Sequence, residues 1–261
     1  MDITSAANPR IKRLIALREH RQRDRESVFL VEGSRDLDRA VAHGHLPLEI
    51  YYDPAHFSGS PHRAETEVSV AAEALDRASY RGKSQGVIGV FKQLDVTLDH
   101  LKPGLDPLFL IAEAIEKPGN LGALLRTADA VGADALIAAD PETDPFSPNV
   151  VRASTGAIFS VPLAVAALGD AIAWARNHRA RIVAADPGAP VLLWEADLTG
   201  PVALLVGAEH AGLTESALTA SDTTVSVPMH GSTDSLNVSV SMAVLAYEAL
   251  RQRTHHPPPT T

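Results

Sequence analysis

The sequence contains no cysteine among its 261 residues. This absence excludes disulfide bonds, cysteine-ligated metal sites and chemistry that depends on a thiolate nucleophile. No apolar run approaches the roughly 20 residues of a membrane-spanning helix, and the first residues, with Asp2 and Pro9, lack the apolar core of a signal peptide. We therefore predict a cytoplasmic protein without a membrane partner.

An overall excess of positive charge is also absent, since the formal net charge is -9. That balance argues against a protein that coats nucleic acid indiscriminately. Residues 1–25, however, carry seven basic and three acidic side chains, a net charge of +4, and leave -13 for the rest of the chain. This asymmetry is typical of phosphate contacts made by one end of a molecule, although a solvated basic helix face would give the same pattern.

The composition, with 45% hydrophobic and 21% charged residues, is that of a globular protein long enough for one large or two small domains. In the first hundred residues Asn8 can cap a helix that has Pro9 in its first turn. Further strands and helices alternate after it, which predicts a small α/β domain with a largely covered sheet. The predicted strands are 28–31, 48–52, 68–70 and 87–91, and the predicted helices are 34–42 and 71–77.

The pattern dissolves at residues 96–106, around Pro103 and Gly104, which we interpret as a linker. Beyond it strands and helices alternate again, and this order predicts a parallel sheet covered on both faces. The predicted strands are 108–112, 135–138, 182–185 and 202–206, and the predicted helices are 120–131 and 170–178. A proline-rich tail, residues 255–261, is predicted to be disordered.

Residues 225–239 run from an apolar strand through a polar loop into a long helix, an order that suits a ligand site. Val225 and Val227 alternate as in a buried strand, and Pro228 ends it. Ser235 or Asn237 can cap the helix that follows. An ordinary capped helix is the alternative interpretation, because capping loops outnumber cofactor loops.

A second glycine-bearing loop, residues 207–212, directly follows the predicted strand 202–206. It lacks the spacing of a dinucleotide-binding fingerprint and carries an acid, Glu209, where phosphates would lie. A cofactor without phosphates fits better. Val227, Met229 and Leu236 would form an apolar bed for it.

Together with a third loop, these stretches resemble the three ordered motifs of the SpoU (TrmH-type) RNA ribose 2'-O-methyltransferases of the SPOUT superfamily. The motifs are Pro118-Gly119-Asn120-Leu121-Gly122 with Arg126, then residues 207–212, then Ser235-Leu236-Asn237-Val238-Ser239. The resemblance covers about residues 107–253. Asn8-Pro9-Arg10-Ile11-Lys12 and Phe29-Leu30-Val31-Glu32-Gly33 resemble, more loosely, the substrate-binding domain that precedes the catalytic domain in many members.

The resemblance implies an α/β fold with two domains. Residues 1–95 would form a small L30e-like α/β domain that binds the RNA substrate, and residues 107–254 a SPOUT catalytic domain with a parallel sheet and a deep trefoil knot. It also implies a homodimer with its site near the subunit interface, and S-adenosylmethionine as cofactor.

Site residues follow from the matched motifs. The implied catalytic residues are Arg126, Asn120, Glu209, Ser235 and Asn237. The implied cofactor-binding residues are Gly207, Val206, Glu209, Val227, Met229, Ser235, Leu236 and Asn237. The candidate RNA-binding residues are Arg10, Lys12, Arg13, Arg81 and Lys83. The last two belong to a basic turn, residues 79–86, in which Tyr80 could stack on a base unless the turn is merely solvated. The histidines show no convincing ligand spacing, so no metal is predicted.

By resemblance Arg126 is the catalytic arginine, and its rigid fork would grip the phosphate beside the target ribose. The alternative pairs Arg126 with Asp129 and makes Asn120 a plain helix cap. Arginine stays charged at ordinary pH and is a poor general base, so we favour phosphate-assisted proton removal or a late transfer to solvent. The absence of cysteine excludes methylation at pyrimidine carbon 5.

We therefore predict an S-adenosylmethionine-dependent RNA ribose 2'-O-methyltransferase, with 23S ribosomal RNA favoured over tRNA as substrate, in housekeeping or in ribosome-targeting antibiotic resistance. A catalytically silent RNA-binding protein is the alternative from another class, and the missing phosphate fingerprint disfavours a nucleotide-dependent oxidoreductase. One departure from the family pattern, Ser241 where many relatives carry alanine, is interpreted as minor.

Overall fold

A computed structural model describes residues 3–57, 64–209 and 211–255. The chain folds into two compact units. Unit 1 contains residues up to Leu94 together with Asp144–Ser160, and unit 2 contains Asp95–Thr143 together with the residues from Val161 onward. The chain therefore leaves unit 2 once, between two of its strands, to complete unit 1.

The described residues form helices and strands in an alternating order. The helices are α1 (Pro9–Ala16), α2 (His20–Glu26), α3 (Ser34–Ala42), α4 (Ala72–Ala78), α5 (Pro118–Val131), α6 (Pro148–Ser154), α7 (Leu168–Asn177), α8 (Glu215–Thr219) and α9 (Val238–His255). The strands are β1 (Val28–Glu32), β2 (Glu49–Tyr52), β3 (Thr66–Ser69), β4 (Val87–Lys92), β5 (Leu108–Glu113), β6 (Ala135–Ala139), β7 (Leu163–Ala166), β8 (Arg181–Ala185), β9 (Val191–Leu192), β10 (Val202–Val206) and β11 (Thr223–Ser226).

Unit 1 is built on a four-stranded mixed sheet in the order β1-β4-β2-β3. Strand β4 runs antiparallel to both β1 and β2, whereas β2 and β3 are parallel. Helix α1 begins as predicted, because the Asn8 side chain accepts a hydrogen bond from the Arg10 N–H and Pro9 occupies the first turn. Its buried residues Ile11 and Leu14 join one apolar core with Val28 and Leu30 of β1.

Phe29 of β1 and Phe91 of β4 belong to an aromatic cluster. Phe29 contacts Phe91, and its ring centroid lies 5.1 Å from that of Phe146 and 5.9 Å from that of Phe159. Phe146 and Phe159 flank helix α6, so the segment Asp144–Ser160 covers the sheet with its own aromatic side chains. These side chains supply much of the burial that holds the segment in unit 1.

Unit 2 is built on a seven-stranded sheet in the order β7-β6-β5-β10-β8-β11-β9, and every neighbouring pair is parallel. This confirms the predicted α/β class and the parallel sheet. In such a sheet the carboxyl ends of all strands lie along one edge, where ligands usually bind. Val206 of β10 lies opposite Ala112 of β5, and Val225 of β11 lies opposite Ala185 of β8, so these four strands end at a common level.

Several elements differ from the sequence interpretation. Helix α2 was not predicted because its sequence, HRQRDRE, has no apolar spacing to mark a helix. Helix α6 and strands β7 and β9 also went unpredicted. Within the predicted linker, Leu101 is buried and Leu98 packs against the core of unit 2. The domain boundaries and the trefoil knot stay predictions. His255, the first residue of the tail predicted to be disordered, instead ends α9, and the rest of that tail, residues 256–261, lies outside the described residues.

Candidate active site

A cavity of about 370 Å³ lies within unit 2, at the carboxyl ends of its central strands. Its volume falls in the range of roughly 300–1,000 Å³ that is typical of small-molecule sites. The lining comes from the ends of β8, β10 and β11 with the residues that follow them, from the start of α9, and from Leu218 of α8. The lining residues are Ala185, Asp186, Pro187, Val206, Gly207, Ala208, Glu209, Ala211, Gly212, Leu213, Leu218, Val225, Val227, Met229, Asp234, Ser235, Leu236, Val238 and Ser241.

The loop after β10 is a tight turn that closes one side of the cavity. Ala208 and Gly212 exchange two backbone hydrogen bonds, each of 3.0 Å. A Cβ atom added at Gly207 would lie 2.2 Å from the carbonyl carbon and oxygen of Gly212 and 2.3 Å from the nitrogen of Leu213. Glycine at position 207 is therefore required by the protein's own backbone. This reason for a glycine does not depend on a ligand.

The same turn is attached to the neighbouring strand end. Glu113, the last residue of β5, is only 3% exposed and accepts hydrogen bonds from the backbone N–H and the hydroxyl of Thr214, at 3.1 and 2.7 Å. Thr214 also caps α8 by accepting a hydrogen bond from the Ala217 N–H. Glu113 thus fixes the end of the turn to the central sheet, a role that no sequence motif indicated.

One residue from each of the three motifs joins a continuous hydrogen-bonded chain. The amide of Asn120 donates to Oε1 of Glu209, and the amide of Asn237 donates to Oδ1 of Asn120 at 3.2 Å. Asn120 is buried in the first turn of α5, whose N-cap is Lys117, so the interpretation of Asn120 as a helix cap was wrong. The other oxygen of Glu209, Oε2, is buried and has no hydrogen-bond partner among the described residues.

Asn237 has two roles. Its Oδ1 accepts hydrogen bonds from the N–H and the hydroxyl of Ser239, at 3.0 and 2.6 Å, and its carbonyl accepts the first helical bond, from Ser241. Asn237 is therefore the cap of α9, and the choice that the sequence left open between Ser235 and Asn237 is decided. With Oδ1 used in capping, its amide is oriented toward Asn120.

Arg126 lies on α5 with its side chain exposed and does not line the cavity. The alternative, in which Arg126 pairs with Asp129, stays an interpretation, because Asp129 does have an interaction partner. The predicted cofactor-binding residues Gly207, Val206, Glu209, Val227, Met229, Ser235 and Leu236 all line the cavity. Asn237 does not line it, although its two neighbours, Leu236 and Val238, do.

Sequence reasoning missed the part of the cavity that follows β8, namely Ala185, Asp186 and Pro187. The only available signal was Asp-Pro-Gly directly after a predicted strand, which is typical of an ordinary turn. Ser241 also lines the cavity, so the departure from the family pattern that seemed minor lies at the site. In the described part of the chain, no group of three or more His, Asp or Glu side chains could hold a metal ion.

The candidate RNA-binding residues of unit 1 divide into two sets. Arg10 and Lys12 are exposed on α1. Arg13 is half-buried, and its guanidinium lies 2.6 Å from Glu26 and 2.8 Å from Glu49. Because two carboxylates already neutralise Arg13, the structure favours Arg10 and Lys12 over it for phosphate contact.

Other charges of the basic amino-terminal segment also have internal partners. Arg23 is 2% exposed and is paired with Asp144, and the Arg18 guanidinium donates to the Arg77 and Ser79 carbonyls. The net charge of +4, counted from the sequence of residues 1–25, therefore overstates the positive charge that this segment can present to a polyanion.

The basic turn, residues 79–86, is hydrogen-bonded to Glu32, the last residue of β1. Oxygens of Glu32 accept hydrogen bonds from the Ser79 hydroxyl and the Tyr80 N–H, both at 2.8 Å. The Tyr80 ring is 42% exposed, and its hydroxyl accepts a hydrogen bond from Asn149 at 2.9 Å. Arg81 and Lys83 are exposed on the same turn. The turn thus presents one aromatic ring and two cations on an ordered backbone.

These features define a class: an α/β protein with a parallel sheet, a small-molecule cavity at the strand ends and a polar chain beside it. No helix in the described part of the chain is long and apolar enough to cross a membrane. The model of the SpoU rRNA methylase family matches residues 107–247, and that of the MRM3-like substrate binding domain matches residues 8–89. The chain belongs to the SpoU rRNA methylase family.

Relatives and solved structures agree with this assignment. The chain is 33% identical to the 23S rRNA (uridine(2479)-2'-O)-methyltransferase of Streptomyces viridochromogenes, over 95% of this chain and 92% of that one. A crystal structure of an RNA 2'-O ribose methyltransferase superposes with a TM-score of 0.86 at 42% identity, covering 97% of this chain and 100% of the other. The crystal structure of the SpoU methyltransferase AviRb from Streptomyces viridochromogenes in complex with the cofactor AdoMet superposes with a TM-score of 0.87 at 32% identity. The match covers 95% of this chain and 98% of the other.

Proposed function

We propose that this protein transfers a methyl group from S-adenosylmethionine (AdoMet) to the 2'-hydroxyl of a ribose in 23S ribosomal RNA. The observation that carries the proposal is the chain Glu209–Asn120–Asn237, which joins one residue of each motif next to a cavity of small-molecule size. Family membership and the rRNA substrates named for the relatives support it.

The cavity suits AdoMet chemically. It presents apolar surface from Val227, Met229 and Leu236, and none of the described residues that line it carries a basic side chain that would select a phosphate. The buried, unpartnered Oε2 of Glu209 is a polar atom that a bound molecule could satisfy. AdoMet supplies an activated methyl group on a sulfonium, so the protein's task is mainly to align it with the nucleophile.

Arg126 is proposed to contact RNA. Its side chain is exposed on α5, so it can present its donors to a phosphate oxygen. A bidentate contact would fix the backbone beside the target ribose and stabilise negative charge as the hydroxyl proton leaves. Since arginine is a poor base, the proton would pass to the phosphate or to solvent.

Asn120, Asn237 and Glu209 are proposed to position the reacting groups. Their hydrogen bonds fix the start of α5, the start of α9 and the turn after β10 relative to one another. Ser235 lines the cavity and its side chain is exposed, so it is available to a bound ligand. This arrangement favours an enzyme over a catalytically silent RNA-binding protein, because a silent protein would not need hydrogen bonds that join residues of all three motifs beside a cavity.

Unit 1 is proposed to bind the RNA substrate through Arg10 and Lys12 and through the turn with Tyr80, Arg81 and Lys83. The exposed ring favours an unpaired base, because such bases stack on aromatic side chains whereas paired bases are not accessible.

We also propose a homodimer. Val240, Val244 and Tyr247 are exposed on α9 and follow one another at helical spacing, which gives this helix an apolar stripe facing away from the core. A second copy of the same helix is the simplest cover for a stripe on a symmetric enzyme. Sedimentation of the wild type and of a Val244→Glu variant would test it, with a shift of the variant to monomer as the expected result.

The activity itself is tested by incubating the purified chain with labelled AdoMet and unmodified ribosomal RNA, and then digesting the RNA to nucleosides. We expect label in a single 2'-O-methylated nucleoside, at a position that primer extension at low nucleotide concentration would map. Label in tRNA but not in rRNA would show that the substrate is tRNA and not ribosomal RNA. RNA binding without any label, with AdoMet bound, would identify a silent protein.

A further inference from the structure

An acidic side chain that belongs to none of the three motifs lines the cavity. Asp186 follows the last residue of β8, and β8 lies between β10 and β11 in the sheet. It therefore lies at the centre of the edge where the cavity opens. This inference rests on the proposed use of AdoMet.

The backbone holds Asp186 in place. Its N–H donates to the carbonyl of Val225 at 3.0 Å, and its carbonyl accepts from the N–H of Ala189 at 3.0 Å. Its side-chain Oδ1 accepts from the N–H of Gly188 at 3.0 Å. Within the described part of the chain no group donates a hydrogen bond to Oδ2. Asp186 thus offers one oriented carboxylate oxygen with no partner.

The other acids of the cavity are placed differently. Oε1 of Glu209 is bound to Asn120, and Oε2 is buried within that polar chain. Asp234 is exposed in the polar loop before α9. Among these three, Asp186 is the acid whose carboxylate is fixed by a turn at a strand end.

AdoMet offers two kinds of donor to such an oxygen: the vicinal hydroxyls of its ribose and the ammonium of its methionine part. An ammonium is attracted by any nearby carboxylate, even an exposed one such as Asp234, whereas hydroxyls require an acceptor with a defined direction. A carboxylate held at a strand end is also the group that binds ribose hydroxyls in dinucleotide-binding folds. Val225 lies opposite Ala185 and lines the cavity, so apolar surface for a nucleoside lies beside this carboxylate.

We propose that Asp186 binds the ribose hydroxyls of AdoMet and is the residue that selects a ribonucleoside cofactor. No covalent step involves it. Its contribution is to affinity and to discrimination against cofactors that lack these hydroxyls.

The test is calorimetry on the full-length chain with three ligands: S-adenosylhomocysteine, its 2',3'-dideoxy analogue, and 5'-methylthioadenosine, which keeps the ribose but lacks the amino acid. Asp186→Ala should weaken the binding of S-adenosylhomocysteine and of 5'-methylthioadenosine to a similar extent, by about 10- to 100-fold, because a hydrogen bond to a charged group is lost. The affinities of the wild type and the variant for the dideoxy analogue should differ by less than about threefold, because this ligand lacks the hydroxyls that would contact Asp186.

Two further variants keep the result interpretable. Asp186→Asn keeps an oxygen that can accept the hydrogen bond from Gly188, so the turn should stay folded. This variant should lose affinity for the same two ligands, but by a smaller factor. Asp234→Ala removes an equal charge from the same cavity and should leave the preference for the ribose hydroxyls unchanged.

Equal losses for the ribose and dideoxy ligands in both Asp186 variants would overturn the proposal. So would an unchanged affinity for 5'-methylthioadenosine, because the carboxylate would then serve the ammonium. Wild-type protein that binds none of the three ligands would instead refute the proposed function and not this assignment alone.

Discussion

The two sheets of this protein use polar residues in opposite ways. In unit 2 all strands are parallel, so the residues that follow β8, β10 and β11 reach one edge and line one cavity. In unit 1 the sheet is mixed, and the connections of antiparallel neighbours lie at both edges. Parallel topology therefore concentrates distant motifs in one site, whereas the basic side chains of unit 1 are divided between internal ion pairs and an exposed surface.

The deletion of residues 1–94 is expected to have the largest effect. It would remove Phe29, Phe91 and Arg23, the partners of the aromatic segment around α6, and would leave Asp144 without its buried arginine. We expect the remaining chain to expose Phe146 and Phe159 and to aggregate, which light scattering would detect. A truncated chain that also carries Phe146→Ser and Phe159→Ser should be more soluble. If the simple truncation is monodisperse and binds AdoMet normally, the segment does not depend on unit 1.

The replacement Arg126→Ala is expected to lower methyl transfer by roughly 10²- to 10³-fold, the size of loss seen when a charge-stabilising donor is removed. AdoMet affinity should change by less than about threefold, because Arg126 does not line the cavity. Labelled methyl transfer and calorimetry measure the two effects. Arg126→Lys should recover little activity, since lysine keeps the charge but not the planar fork. Near-normal turnover by the alanine variant would remove Arg126 from the mechanism.

Gly207→Ala is expected to weaken AdoMet binding by roughly tenfold or more, a loss that about 1.4 kcal/mol of distortion already produces. The added methyl group would collide with the backbone of Gly212 and Leu213, so the turn must move. Gly231→Ala is the matched control, because a Cβ there meets no atom within 4 Å. Calorimetry should show normal binding by the control. Equal affinities for both variants would mean that the turn tolerates a side chain.

Charge changes on α1 are expected to have the smallest effects. Arg10→Glu and Lys12→Glu should each reduce the slope of RNA affinity against salt by about 0.7 on a logarithmic scale, if each side chain contacts one single-strand phosphate. Arg13→Gln should instead lower the melting temperature and leave the slope unchanged, because Arg13 is bound to Glu26 and Glu49. Filter binding over a range of salt concentrations would separate the two outcomes. A smaller salt slope for Arg13→Gln would show that Arg13 contacts RNA phosphate.

Much of the fold was predictable because its strands are short apolar runs with clear ends. The run 108–112 became β5, the run 202–206 became β10 with identical bounds, and Asn8 capped α1 as expected. Helix α2 escaped prediction because a polar helix carries no periodic signal, and its buried residue is an arginine, Arg23.

The candidate site was predictable only where motifs marked it. The three loops were located from the sequence, yet their order along the chain gave no sign of which side chains would touch. Asp186 was missed because an aspartate before Pro187 and Gly188 has the composition of any turn. Gly207 was singled out from the sequence as a cofactor-binding residue, but the backbone atoms of Gly212 and Leu213 that exclude a side chain there could not be predicted.

The sequence by itself determined the α/β class, the three loops of the site and the chemistry that the chain excludes, because apolar periodicity, turn residues and missing cysteines are local properties. Only the tertiary structure decided which charges remain available. Arg13, Arg18 and Arg23 found partners on other elements, and Asn120 met Glu209 and Asn237 across more than 80 residues of chain. Such pairings depend on the order and direction of strands in a sheet, and no local pattern of residues records that order.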